Sequence, residues 1–325
     1  MRTPHVACRF ALALFGLGIA ATHAAAQTYP SRAVRFIVPA PPGGGADILA
    51  RTLGQRLGET WGQQFVIDNR AGAGGIVGTE LAANALPDGH TIVMVYTSHA
   101  INPGLHRKLP YDSLKDFAPV AMVAQIPNVL ALHPSVPAKS VKELIALARE
   151  KPGTLLYASA GSGTSTHLAG ALFNSMARLD MVHVPYKGAT PAFTDLVGGQ
   201  VSLMFANMAS SFPHVRAGKL RALAVTGIKR SVAAPDLPTI DEAALPGYEA
   251  NAWFAVLAPR GVSVAIAEKL NRAIVGILEA SDVRERLLAQ GVEPMTSSPE
   301  ELSRFLAAQT VKWTRVVKES GARAD

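Results

Sequence analysis

Two short turns carry the residues best suited to chemistry. Pro41-Pro42-Gly43-Gly44-Gly45-Ala46-Asp47 follows the apolar run 34–40. Ala160-Gly161-Ser162-Gly163-Thr164-Ser165-Thr166-His167 follows the run 155–158. Apolar residues at helical spacing come after each: Ile48, Leu49, Leu53 and Leu57, then Leu168, Leu172, Phe173 and Met176. A turn from a strand into a helix presents unpaired N–H groups and about half a positive charge. Glycine lets an anion approach those groups. The hydroxyls of Ser162, Thr164, Ser165 and Thr166 can donate or accept. The chemistry is therefore anion capture. One such turn alone reads most simply as a cap for its own helix, whereas two in separate halves favour a ligand. Asp47 would repel an anion, so it is expected to cap its helix and point away.

Other chemistries lack their residues. There is no G-x-x-x-x-G-K-[ST], no G-x-S-x-G, no H-E-x-x-H and no C-x-x-C. Gly72 to Gly78 is Gly-rich but does not fit G-x-G-x-x-G. The nine histidines are scattered, and His167 and His183 read as structural. No metal and no cofactor is expected. A secreted hydrolase-like enzyme using Ser162, Ser165 or His167 stays open as a rival, because folding could bring a base to a nucleophile. A ligand sensor for a signalling partner is a further alternative.

The elements that must hold these turns alternate. Strands are expected at 34–40, 65–68, 91–96, 155–158, 181–184, 201–205 and 220–226, with helices between several of them. That order indicates βα units and parallel sheets. Ser140 with Glu143 and Ser298 with Glu301 have capping-box spacing, and Ser263 precedes Ile266, Leu270 and Ile274. The C-terminal third is mostly helical, with Gly291 closing a helix after Leu287 and Leu288.

Composition sets the class. The chain has 325 residues, 49% hydrophobic and 17% charged, enough for about two packed domains. No apolar run reaches the roughly 18 residues that a membrane helix needs. Arg2 and Arg9, the apolar run 10–20 and Ala24-Ala25-Ala26 form a signal-peptide pattern, with cleavage expected after Ala26. Cys8, the only cysteine, leaves with that segment, so no disulfide is expected. The net charge of +7 becomes +5 on losing two arginines. It is spread out, which suits diffuse attraction for small anions and argues against nucleic acid.

Longer stretches resemble a known family. Val34-Arg35-Phe36-Ile37-Val38-Pro39, Asn69-Arg70-Ala71-Gly72-Ala73-Gly74-Gly75 and Ala100-Ile101-Asn102-Pro103 carry the likeness. So do Leu109-Pro110-Tyr111-Asp112, Tyr157-Ala158-Ser159, Val184-Pro185-Tyr186-Lys187-Gly188 and Gly218-Lys219-Leu220-Arg221. The chain resembles the Bug (Bordetella uptake gene) family, periplasmic substrate-binding proteins of tripartite tricarboxylate transporters, from about Tyr29 to the last helix.

That resemblance implies an α/β fold of two lobes, the type II periplasmic-binding-protein or Venus flytrap fold. Residues 1–26 would be the signal peptide, 27–123 with 222–325 one lobe, and 124–221 the other, with crossings near Ala124 and Arg221. It implies a periplasmic, monomeric protein that delivers a small carboxylate to membrane permease subunits. First-lobe contacts would come from Gly43, Gly44, Gly45, Ala46 and Asp47, and from Thr97, Ser98 and His99. Second-lobe contacts would come from Ser159, Gly161, Ser162, Gly163, Thr164, Ser165, Thr166 and His167, with Tyr186, Lys187 and Asn207 nearby. Ala46, Ala71 and Ala206 depart from the family pattern. Ala46 removes a hydroxyl from the first turn. Ala206 removes an Asp that could pair with a ligand ammonium, which leans the reading away from amino acids.

Overall fold

A computed structural model describes residues 29–322; the expected signal peptide lies outside them. The chain first lays down β1 (Val34–Val38), α1 (Gly45–Trp61), β2 (Phe65–Asn69), α2 (Ile76–Ala83), β3 (Thr91–Tyr96), α3 (Ser98–Leu105) and β4 (Phe117–Ile126). It then builds β5 (Asn128–Leu132), α4 (Val141–Glu150), β6 (Leu156–Ser159), α5 (Ser165–Ala177), β7 (Val182–Pro185), α6 (Ala189–Val197), β8 (Leu203–Asn207), α7 (Met208–Arg216), β9 (Arg221–Val225) and α8 (Ile240–Ala243). It ends with β10 (Ala252–Pro259), α9 (Val264–Glu279), α10 (Ser281–Ala289), β11 (Glu293–Pro294) and α11 (Pro299–Ser320).

The strands form two sheets, one of order β11-β4-β10-β3-β1-β2 and one of order β7-β6-β8-β5-β9. Each is mixed: β1 runs parallel to β2 and β3, and β6 parallel to β7 and β8, while β10 and β5 pair antiparallel with their neighbours. β3 and β5 are almost wholly buried apolar residues, the pattern of strands covered on both faces, and β1 departs from it only at Arg35. The molecule therefore has two α/β lobes, as expected.

The crossings lie elsewhere than expected. Ala124 pairs with Phe254 inside the first sheet, and Arg221 pairs with Leu132 inside the second. The chain passes between lobes at Pro127 and at Asn251. Strand pairing forces this shift, because both expected points sit within ladders. The passages are stitched by buried polar groups. The Asn128 N–H donates to Thr226 Oγ1 at 2.9 Å, and Thr226 Oγ1 donates to Asn251 Oδ1 at 3.1 Å. Asn128 Nδ2 donates to the Ala250 carbonyl at 3.1 Å, and Asn251 Nδ2 reaches Gln125 Oε1 at 3.2 Å. Helix α11 packs on α3 of the first lobe and on α5 of the second.

The helix signals behave as the sequence indicates, with one refinement. Ser263 and Ser298 cap α9 and α11, and Ser298 with Glu301 closes a full capping box. Ser140 caps α4, but Glu143 accepts the N–H of Lys139 rather than that of Ser140, so the box is half made.

Candidate functional site

A cavity of about 620 Å³ opens between the lobes. It lies at the carboxyl ends of β3 and β6, where open α/β sheets bind ligands. The first lobe supplies Thr97, Ser98, Asn102, Leu105 and His106 from the start and one face of α3, with Tyr96 ahead of them. Ala73 and Gly74 come from the turn after β2, and Ala252 and Phe254 from alternate positions of β10. The second lobe supplies Ala160 and Ser162 through Thr166, with Asn207 at the end of β8.

The second-lobe turn is braced by its own side chains. Thr164 is the N-cap of α5: its Oγ1 accepts the N–H of His167 at 3.4 Å and donates to the Gly161 carbonyl at 2.7 Å. Thr166 Oγ1 accepts the Ala160 N–H at 3.0 Å, and the Gly163 N–H donates to His167 Nδ1 at 3.0 Å. Gly163 has φ +75° and lies against Leu105 of the other lobe, where a Cβ would meet Leu105 Cδ1 at 2.5 Å. Only glycine allows both the backbone and the approach.

On the first lobe, Thr97 Oγ1 accepts the Trp253 N–H at 3.0 Å, fixing the start of α3 to β10. Tyr96 donates its hydroxyl to the Pro39 carbonyl at 2.9 Å, and Asn102 Nδ2 reaches the Gly74 carbonyl at 3.3 Å. Thr97, Thr164 and Thr166 therefore hold the walls in shape, and Ser162 and Ser165 line the space beside them. The start of α3 and the start of α5 both turn partly positive ends toward one volume.

The structure brings together eight of the sequence-selected residues on this cavity: Thr97, Ser98, Ser162, Gly163, Thr164, Ser165, Thr166 and Asn207. The others lie elsewhere. Gly43 and Gly44 are exposed, and the Phe254 ring stands against Gly45, between the first turn and the cavity. Ala46 is buried in the core. Asp47 is not an N-cap: Gly44 holds that position without a side-chain bond, and Asp47 sits within the first turn of α1. From there it accepts the Gly43 N–H at 2.9 Å, Arg51 Nε at 2.9 Å and Asn69 Nδ2 at 3.0 Å. Burial pushes its carboxyl up, but Arg51, the Gly43 N–H and Asn69 together hold it below the usual value. Neither Asp47 nor any of these partners lies on the cavity wall.

His99 is buried beside Tyr111 and Phe117, with Nε2 2.8 Å from the Ser113 carbonyl. Burial lowers its pKa to about 4, outweighing that hydrogen bond. Ser159 is fully buried under its turn, and Gly161 presents a carbonyl to Thr164. His167 stacks on His183 at 3.8 Å and lines a separate cavity of about 670 Å³. Burial, then the neighbouring His183, depress its pKa to about 3. Tyr186 donates to Asp195 Oδ2 at 2.7 Å, and Lys187 is exposed.

Asn102, Leu105 and His106 were not selected from the sequence, although their spacing from Ser98 places them along one helix face. Ala252 and Phe254 carried no local signal, since they arrive from the C-terminal return of the chain. A serine–histidine pair does form, between Ser159 Oγ and His183 Nε2 at 2.6 Å, not among Ser162, Ser165 and His167.

Known proteins share this fold. The profile of the tripartite tricarboxylate transporter family receptor, TctC, matches residues 49–322. Protein BugT of Bordetella pertussis is 39% identical over 318 residues, covering 96% of this chain and 98% of the relative. R. palustris Rpa4515 with adipate superposes with a TM-score of 0.78 at 39% identity, over 91% of this chain and 99% of that one. MatC from Rhodopseudomonas palustris with bound malate gives 0.75 at 34% identity, over 89% and 100%. The receptors of this family are substrate-binding proteins of the periplasm, and this chain, with its two lobes and its cleft between helix N-termini, belongs to the TctC family of tripartite tricarboxylate transporter receptors.

Proposed function

We propose that the protein is a periplasmic solute-binding protein that captures a small organic carboxylate between its lobes, without catalysis, and delivers it as a monomer to membrane permease subunits. Export by a signal peptide cleaved after Ala26 belongs to the same reading. So does a division in which residues 128–250 form one lobe and the flanking segments the other.

One observation carries it. Two helix N-termini, from different lobes, face one cavity, and no Lys, Arg, Asp or Glu lies on its wall among the described residues. Such a site recognises negative charge through fixed N–H dipoles and hydroxyls. Two relatives solved with adipate and with malate support the carboxylate class. Several charge-assisted hydrogen bonds of about 1.5–3 kcal/mol each suffice for micromolar binding, about −8 kcal/mol, after association costs.

The absence of catalysis rests on the serine–histidine geometry. Ser159 is fully buried, and its hydroxyl is engaged with the Gly161 backbone as well as with His183. A nucleophile must reach its substrate, and this one is walled in.

The experiment is mass spectrometry of ligand released from freshly purified protein, followed by calorimetry with that acid and with its amide. The acid should bind and the amide should not, because an amide NH₂ would face donors and leave them unpaired. Tight amide binding would refute a site built on backbone dipoles.

A further inference from the structure

His106 ends α3 and is half-buried on the cavity wall. It is the one side chain of that wall, among the described residues, that can become a cation. The remaining lining is hydroxyl, amide, backbone and apolar surface, plus the Tyr96 phenol, whose pKa burial pushes up. His106 and Leu105 also belong to a second cavity, of about 830 Å³, on their far side. That cavity is walled by Arg107 and by Lys318 of α11, with no carboxylate. His106 is therefore the partition between a dipolar cleft and a cation-lined space.

Its distance from the anion cradle gives the partition a role. Ser98, at the start of α3, and His106, at its end, are about 12 Å apart along the axis at the usual rise per residue. A single carboxylate held between the starts of α3 and α5 leaves His106 untouched. A second carboxylate on an extended chain runs past Leu105 toward the imidazole.

We propose that His106 is a specificity-determining residue that pairs, in its protonated form, with the distal carboxylate of an extended dicarboxylate. The inference rests on the carboxylate reading above and deepens it. The titratable groups that share a cavity wall with His106 are Arg107 and Lys318 of α11 in the second cavity and Tyr96 of β3 in the first. The α5 turn lines the first cavity with Ala160 and with Ser162 through Thr166, which carry no charge. A carboxylate brought beside an imidazole favours the charged ring, so binding takes up a proton. Affinity for a diacid then rises as pH falls. A monoacid, lacking the second charge, has no such dependence.

The test is titration calorimetry of the full mature chain with succinate, adipate and suberate, each against the monoacid of equal length. Measurements run between about pH 6 and about pH 8, the range in which histidine acts as a switch. For the tightest diacid, affinity should rise about fivefold or more toward the lower pH, with proton uptake detected from buffers of differing ionisation heat. Its monoacid should change less than about twofold. His106→Gln and His106→Phe should both remove the pH dependence and lower diacid affinity about tenfold at the lower pH, with a clearly smaller loss for the monoacid. An unaltered pH profile in both variants, or an equal loss for diacid and monoacid, overturns the role of His106 alone. Binding of none of the acids overturns the carboxylate reading together with it.

Discussion

Replacing Gly163 by alanine should weaken ligand binding across the cleft, and the effect should depend on Leu105. The added Cβ would lie 2.5 Å from Leu105 Cδ1, against about 3.5–4.0 Å for ordinary contact. Leu105 is the far end of a flexible side chain and can swing away. It lines the cavity, however, so swinging inward takes up ligand space. The other escape is to part the lobes. Either route should cost binding about 1–2 kcal/mol, in the range of modest overpacking, which is about tenfold in affinity. The left-handed backbone adds about 1–2 kcal/mol, but it burdens free and bound protein alike and reports in stability. A double-mutant cycle separates the two. Gly163→Ala, Leu105→Ala and the pair should be titrated with adipate and melted by calorimetry. With Leu105 truncated, Gly163→Ala should lose little further affinity, giving a coupling of about 1 kcal/mol or more. Its loss in melting temperature should remain. An equal affinity loss in both backgrounds would refute contact across the cleft as the reason for glycine.

Two further outcomes follow from the hydrogen-bond geometry. Thr164→Val removes a helix cap that also holds the Gly161 carbonyl, so it should lower stability by about 1 kcal/mol. Ser165→Ala should leave the melting temperature unchanged and weaken carboxylate binding by about tenfold. Paired melting and titration curves check both, and a reversal of the pattern would reassign the two hydroxyls. His99 and His167 are held neutral in the fold, with pKa values lowered to about 4 and about 3 by burial. An unfolded imidazole titrates near about 6.5. Below that value the unfolded chain binds more protons, so their contribution is complete above about pH 6.5 and is lost as pH falls toward the folded values. The loss is about 1.4 kcal/mol per pH unit for each ring. Urea midpoints should fall through that window, less steeply in His167→Gln, whereas a flat profile would contradict neutral buried rings.

The architecture was legible where strand and helix patterns alternate. β1 and β6 with the helices after them stand out because apolar runs end in glycine-rich turns, and β3 stands out as an apolar run alone. The crossings were not legible. The stretch 118–132 is one nearly continuous apolar run, interrupted at Gln125 and Pro127-Asn128, yet it spans β4 of one sheet and β5 of the other. Both strands are buried, so neither alternates, and periodicity cannot divide them. What divides them is the far partner of each: Phe254 for Ala124, Asn207 for Asn128. The return at β10 is equally remote in sequence.

The candidate site divides along the same line. The β6–α5 turn could be read directly, since its glycines and hydroxyls shape the wall in place. The matching turn after β1 has the same grammar but a different neighbour. The Phe254 ring, delivered from more than two hundred residues away, stands against Gly45. Helix α3 was hidden for the opposite reason. Asn102-Pro103-Gly104 reads as a breaker, but Pro103 falls inside α3, where α11 packs against it. A Cβ on Gly104 would meet Thr314 Cα at 2.9 Å, so close packing by α11 supplies what propensity withholds. That packing makes Asn102, Leu105 and His106 one wall of the cleft. The residues proposed to set the far end of the ligand are therefore positioned by the C-terminal helix as much as by their own sequence.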